Sequence, residues 1–226
     1  MAMQGEGIFD KIKNLITYIY ENTVSYITKT LWADKVNILF LGIDNAGKTT
    51  LLNKLKNDTT GTFIPTNHSN KAEIEIGNMT ASIIDLGGHE AARMIWRDYF
   101  FSCDGIIFIV DVVDTDRFKI VKEAFQIVKT IDTEKLPPVV VFFNKIDKLN
   151  HDSESARRDI NLVNTLSEET GIYEQDISSG QPVYTTYVSI AEESPNNLSG
   201  EMVSSFQWLQ KMINIQKKSN VKSTNL

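Results

Sequence analysis

The chain has a single cysteine, Cys103, in 226 residues, so it can form no internal disulfide and build no cysteine-rich metal site. That scarcity fits a reducing, cytosolic setting. Positive charge is also in short supply: 23 Lys and Arg stand against 29 Asp and Glu, for a formal net charge of -6. A protein that neutralises nucleic-acid phosphates carries a basic balance or a clustered basic face, so nucleic acid is not an expected partner. No stretch reaches the roughly 18 consecutive apolar residues that span a bilayer. The N-terminus lacks the succession of basic, apolar and small residues of a secretory signal, and any membrane contact is expected to be peripheral. What remains, 42% hydrophobic and 23% charged residues, is the composition of a globular protein, and the length suits one domain with some extra.

From residue 35 onward, apolar β-rich runs alternate with helix-like segments, the pattern of βα units around a parallel sheet. Lys35 to Gly42 reads as a buried strand, followed directly by a helix from Lys48 to Lys56. Ala72 to Ile76 alternates apolar and charged residues as an edge strand does, and Asn78-Met79 turns it into a second strand, Thr80 to Ile84. Gly105 to Val110 and Val139 to Phe143 are continuous apolar runs, which marks central strands covered on both faces. Val183 to Val188 is the last strand. A closing helix from Glu201 to Ile215 places Val203, Phe206, Leu209, Met212 and Ile213 on one face. The predicted fold is therefore α/β in three layers: a six-stranded, mostly parallel sheet with one antiparallel edge strand, and helices on both faces. Residues 1–34 form an N-terminal segment, 35–216 the domain, and 217–226 a polar, flexible tail.

Gly42 to Thr49 matches G-x-x-x-x-G-K-[ST] between a strand and a helix. The glycines let the loop curl so that backbone N–H groups and the helix N-terminus face phosphate oxygens, with Lys48 adding charge and the Thr49 hydroxyl able to ligate magnesium. Asp85-Leu-Gly-Gly88 ends the third strand, where an Asp can hold magnesium through a water and the Gly88 amide can approach the terminal phosphate. Asn144-Lys145-Ile146-Asp147 follows a central strand. Asp147 offers two acceptor oxygens to the N1 and N2 donors of guanine, a pair that adenine lacks. Lys145 can cover the purine with its stem, and Asn144 can tie this loop to the phosphate loop. Ser189 and Ile190, just past the last strand, are placed to close the base pocket.

Over about residues 35–215 these motifs resemble the Ras-like small GTPase superfamily. The Asp44-Asn45-Ala46-Gly47-Lys48-Thr49-Thr50 form of the phosphate loop is similar to that of the Arf and Sar branch. A His at position 89, followed by Ala92-Arg93 and Trp96, resembles the Sar family, which starts COPII coat assembly on endoplasmic reticulum membranes, and Pro65-Thr66 with His68 resembles the Sar switch I. The 191–200 loop and the C-terminal tail depart from that family in being longer. The resemblance implies a small GTPase fold, GTP or GDP with magnesium as bound groups, and Thr49, Thr66 and Asp85 as metal ligands. It implies Lys48, Gly88 and His89 in catalysis, His89 orienting the attacking water. No arginine is placed to act as an internal finger, so unaided turnover is expected to be slow. An inner-coat GTPase-activating subunit of COPII and a membrane-bound guanine nucleotide exchange factor are the implied partners, at the cytosolic face of the endoplasmic reticulum or of the Golgi.

Upstream, Ile8, Phe9, Ile12, Leu15, Ile16, Ile19, Tyr20 and Ile27 trace a helical stripe opposite Asp10, Lys13, Asn14, Thr17 and Glu21. The charges between Ile8 and Thr28 cancel, so attachment to a membrane surface would come from apolar insertion, at about 1.5 to 3 kcal/mol per large side chain. Such a helix can equally pack on its own domain, and the two can alternate with nucleotide. Ala2 stands where N-myristoylation needs glycine, which agrees with Sar and not with Arf. Three rivals remain: an Arf-like regulator, opposed by Ala2 and His89; a non-hydrolysing scaffold, opposed by the full catalytic set; and an ATP-using P-loop kinase, opposed by Asn144 to Asp147.

Overall fold

The computed structural model describes residues 36–57, 64–65, 71–76, 79–84, 90–130, 136–174, 180–193 and 200–223. The amphipathic N-terminal helix expected within 1–34 lies outside the described residues, as do Thr66, Asp85, Gly88 and His89. The strands are β1 (Ile38–Leu41), β2 (Ile64–Pro65), β3 (Lys71–Ile76), β4 (Met79–Ile84), β5 (Gly105–Asp111), β6 (Val139–Asn144) and β7 (Val183–Val188). The α-helices are α1 (Lys48–Asn57), α2 (Glu90–Phe100), α3 (Phe118–Lys129), α4 (Ser153–Arg158), α5 (Ile160–Thr170) and α6 (Gly200–Ser223).

One sheet runs in the order β2-β3-β4-β1-β5-β6-β7. Its members from β4 to β7 are parallel, and β3 is antiparallel to both β2 and β4. All six expected strands are present, and the structure adds a seventh. The addition, β2, is two residues long, too short to leave any alternation in the sequence, and it moves the antiparallel strand one place in from the edge.

Period-two alternation divides the central strands between two cores. Ile38 and Phe40 of β1, Ile107 and Ile109 of β5, and Val140 and Phe142 of β6 share one core with Leu51 of α1 and Met202, Phe206 and Leu209 of α6. Leu39, Leu41, Ile106, Phe108, Val110, Val141 and Phe143 face the other way, onto Trp96 of α2, Phe125 of α3 and Leu166 of α5. Covered on both faces, these strands need no polar residue until their C-terminal ends, which is why their sequences are unbroken apolar runs.

β1 is shorter than the run Lys35 to Gly42. Asn37 leaves the ladder to bond Asp104, its N–H donating to Oδ2 at 2.8 Å, and Gly42 turns away with φ +140°. α6 is longer than its apolar stripe: it continues past Ile215 to Ser223, because Lys217 and Lys218 favour helix and no Gly or Pro intervenes. Met202 is fully buried in it, whereas Met212 is half-buried. Among the described residues no helix is long and apolar enough to cross a membrane.

The chain leaves β1 for β4 on one side and returns to β5 on the other. That reversal opens a crevice at the C-terminal ends of the parallel strands, where open α/β sheets bind ligands.

Candidate nucleotide-binding site

The loop after β1 is shaped by two glycines. A Cβ on Gly42 would stand 2.3 Å from the Ile109 carbonyl oxygen of β5, and one on Gly47, where φ is +112°, would stand 2.4 Å from Asn144 Nδ2. Only glycine fits either place. Between them Asn45 takes a left-handed conformation, φ +63°, which asparagine tolerates better than most residues. α1 then begins at Lys48, and its first amides point into the crevice as a helix N-terminus does toward an anion. The Lys48 side chain is buried, and its ammonium donates to the Gly42 carbonyl at 3.0 Å and the Ile43 carbonyl at 2.8 Å. A buried cation at the N-terminus of a helix suits a multiply charged anion.

On the other side, Asn144 ends β6 and is buried. Its Nδ2 donates to the Ala46 carbonyl at 2.7 Å, and its Oδ1 accepts from the Ile190 amide at 2.9 Å. One amide side chain therefore joins the phosphate loop, the end of β6 and the loop after β7. Lys145 has φ +71°, and its ammonium pairs with Asp111 Oδ2 at 2.7 Å. Asp147 follows in a 3-10 turn (Ile146–Leu149). Its Oδ2 lies 3.4 Å from the Lys148 ammonium, and among the described residues its buried Oδ1 has no hydrogen-bond partner. An orphaned buried acceptor costs about 1 to 3 kcal/mol, so this oxygen is set for a donor that the described residues do not provide.

A cavity of about 500 Å³ lies between the two sides, lined by Asp44, Asn45, Gly47, Lys48, Thr49, Thr50, Asn144, Lys145 and Asp147, with Lys148 and Ala191. Nine of the residues read from the motifs thus meet around one space. Ala46 and Ile190 are fully buried behind its wall. Ser189 faces a neighbouring cavity of about 320 Å³ with Ile146 and His151, and its buried Oγ has no partner among the described residues. Thr49, exposed on the cavity wall, offers the hard oxygen donor that magnesium takes. No group of three or more His, Cys, Asp or Glu able to hold a metal occurs among the described residues, and the other two expected ligands, Thr66 and Asp85, lie outside them.

Three supports were not legible in the motifs. Arg117 Nη2 donates to the Asp44 carbonyl at 3.1 Å while its Nε holds Asp114 Oδ2 at 2.6 Å, bracing the phosphate loop from the start of α3. The bond to Asp114 raises the Arg117 pKa still further. Asp111 anchors Lys145 and also accepts from the Val113 amide at 3.1 Å. Lys54 of α1 reaches the loop after β7. Asp111 alone left a trace in the sequence, as the polar residue that stops an apolar run.

Comparison with known proteins adds the following. A model described as the ADP-ribosylation factor family matches residues 24–194. A protein of Encephalitozoon cuniculi named small COPII coat GTPase SAR1 is 49% identical over 92% of this chain and 93% of its own. The protein of the same name from Giardia intestinalis is 40% identical over 52% of this chain and 61% of its own. The crystal structure of the Encephalitozoon cuniculi protein in complex with GDP superposes with a TM-score of 0.78 at 46% identity, covering 94% of this chain and 95% of that one. The Arl6 BBS3 small GTPase of Trypanosoma brucei, at 24% identity and a TM-score of 0.53 over 81% of this chain and 99% of its own, shares the fold.

Proposed function

The chain belongs to the ADP-ribosylation factor family, and from that premise we propose that it is a GTP-hydrolysing switch that recruits the COPII coat to the endoplasmic reticulum membrane. The observation that carries the reading is 49% identity to a small COPII coat GTPase across 92% of this chain, a span too long for a shared motif alone. Guanine nucleotide is the ligand. A relative of 46% identity was crystallised with GDP, and the cavity joins an anion cradle to a carboxylate oxygen awaiting a donor.

In this reading the amides of Gly42 to Thr49 and the Lys48 ammonium hold the phosphates, and Asp147 accepts from N1 and N2 of guanine. Asn144 keeps the two halves of the site in register. Magnesium, when bound, supplies charge neutralisation at the phosphates, with Thr49, Thr66 and Asp85 as its protein ligands. His89 orients the attacking water, and the Gly88 amide approaches the terminal phosphate. A COPII subunit accelerates turnover and a membrane-bound exchange factor loads GTP. The stripe from Ile8 to Ile27 inserts into the cytosolic face of the membrane when GTP is bound.

Liposome flotation tests this reading. Full-length protein should float with a slowly hydrolysed GTP analogue and not with GDP, and removal of residues 1–28 should abolish recruitment. Equal flotation in both nucleotide states would contradict the switch.

A further inference from the structure

The loop after β7 closes one side of the nucleotide cavity, with Ala191 in its wall. It is a tight turn: the Ser189 carbonyl accepts from the Glu192 amide at 3.1 Å and from the Glu193 amide at 3.2 Å. Two side chains from elsewhere hold it. Asn144 takes the Ile190 amide, and from the opposite direction the Lys54 ammonium donates to the Ala191 carbonyl at 2.8 Å and to the Glu193 carbonyl. Lys54 is on α1, the helix whose first residues, Lys48 and Thr49, line the same cavity. It does not itself line that cavity. Two carbonyls of the turn converge on one cation, and without that cation water would take its place and the turn would lose this tie to α1.

The geometry points to Lys54 as a positioning residue that latches the base-closing loop and so sets how long guanine nucleotide stays bound. This rests on reading the cavity as a guanine nucleotide site. Ala191 puts this turn in the cavity wall, so opening the base side of the site requires the turn to move, and the latch opposes that motion. Its contribution falls on the dissociation rate rather than on base selectivity, because Asp147, which selects the base, is held separately in the turn after β6.

The test follows release of a fluorescent GDP analogue from full-length protein into excess unlabelled GDP, for the wild type and for Lys54→Met, Lys54→Gln and Lys54→Arg. Lys54→Met should release about tenfold faster, about 1.4 kcal/mol of barrier, with the preference for GDP over ADP unchanged. Lys54→Gln, which keeps a neutral donor, should fall between, and Lys54→Arg should stay within about threefold of the wild type, because it keeps a charged donor. Unchanged release from Lys54→Met would overturn the latch, even if its thermal midpoint fell. So would equal acceleration in Lys54→Arg and Lys54→Met, which would mark a packing effect. A wild type that holds no GDP would instead overturn the nucleotide reading on which the latch rests.

Discussion

At position 147 one carboxylate oxygen sits near Lys148 and the other is buried with no partner among the described residues. Guanine would supply two N–H donors to this group. Asp147→Asn turns one acceptor into a donor and leaves that match broken. We expect GDP affinity to fall by about a hundredfold or more, as the loss of charge-assisted bonds at a buried site implies, with xanthosine diphosphate gaining in relative affinity. GDP titration of the variant decides it, and unchanged affinity would remove Asp147 from base recognition. A second residue-scale expectation concerns Cys103. Burial first, and then the neighbouring Asp104 charge, push its thiol from 9.0 up to about 12. The fold therefore favours the neutral thiol: this contribution to stability is intact below pH 9.0 and drains away as pH rises toward about 12. Alkylation by iodoacetamide at pH 8 should be at least about a hundredfold slower in native protein than in unfolded chain, since the thiolate is the nucleophile. Comparable rates would show that the thiol is not held this way.

What could be read in the sequence at this scale was whatever the chain writes contiguously. Gly42 to Thr49 is a local conformation, so its spacing is its signature. The contacts of Arg117 with Asp44 and of Lys54 with Ala191 join residues 73 and 137 positions apart. A lysine or arginine on a helix reads as a solvated charge, and nothing in its neighbours says which distant carbonyl it meets.

Among the elements, α6 carries much of one core. Met202, Val203, Phe206, Leu209 and Ile213 lie against β6 and β7, with Phe206 edge-on to Phe142 at 6.0 Å. Leu209 is fully buried, and the Gly105 Cα at the start of β5 leaves just enough room for it, since a Cβ there would meet Leu209 Cδ1 at 3.0 Å. Leu209→Ala should cost about 3 kcal/mol in unfolding free energy, transfer and cavity terms together. Urea denaturation checks this, and a loss under about 1 kcal/mol would mean that the helix closes over the gap. Periodicity revealed α6 but not its end, because the stripe stops at Ile213 while helix-forming polar residues carry the backbone on. α4 and α5 left no such stripe. Asp152 and Asp159 cap them three and two residues ahead of the amides they accept from, and six residues of α4 are too few to show a period.

For the whole molecule, which strands are central and which lie toward an edge was legible from the pattern, since unbroken apolar runs belong in the middle and the alternating run toward an edge; the order itself came from the structure. The two-residue β2 was not legible, because its pairing with β3 depends on where the preceding chain passes. The strand order matters to function because it puts the reversal point at β1. The phosphate loop after β1, Asn144 at the end of β6 and Ala191 after β7 then meet around one cavity, although Gly47 and Asn144 are 97 positions apart.

The central claim is that this cavity selects guanosine phosphates. Its most direct test is displacement of bound fluorescent GDP from magnesium-replete protein by GTP, GDP, ATP and ADP. A site built to bond the base should favour the guanosine nucleotides by at least about a hundredfold. Equal displacement by the adenosine nucleotides would contradict it.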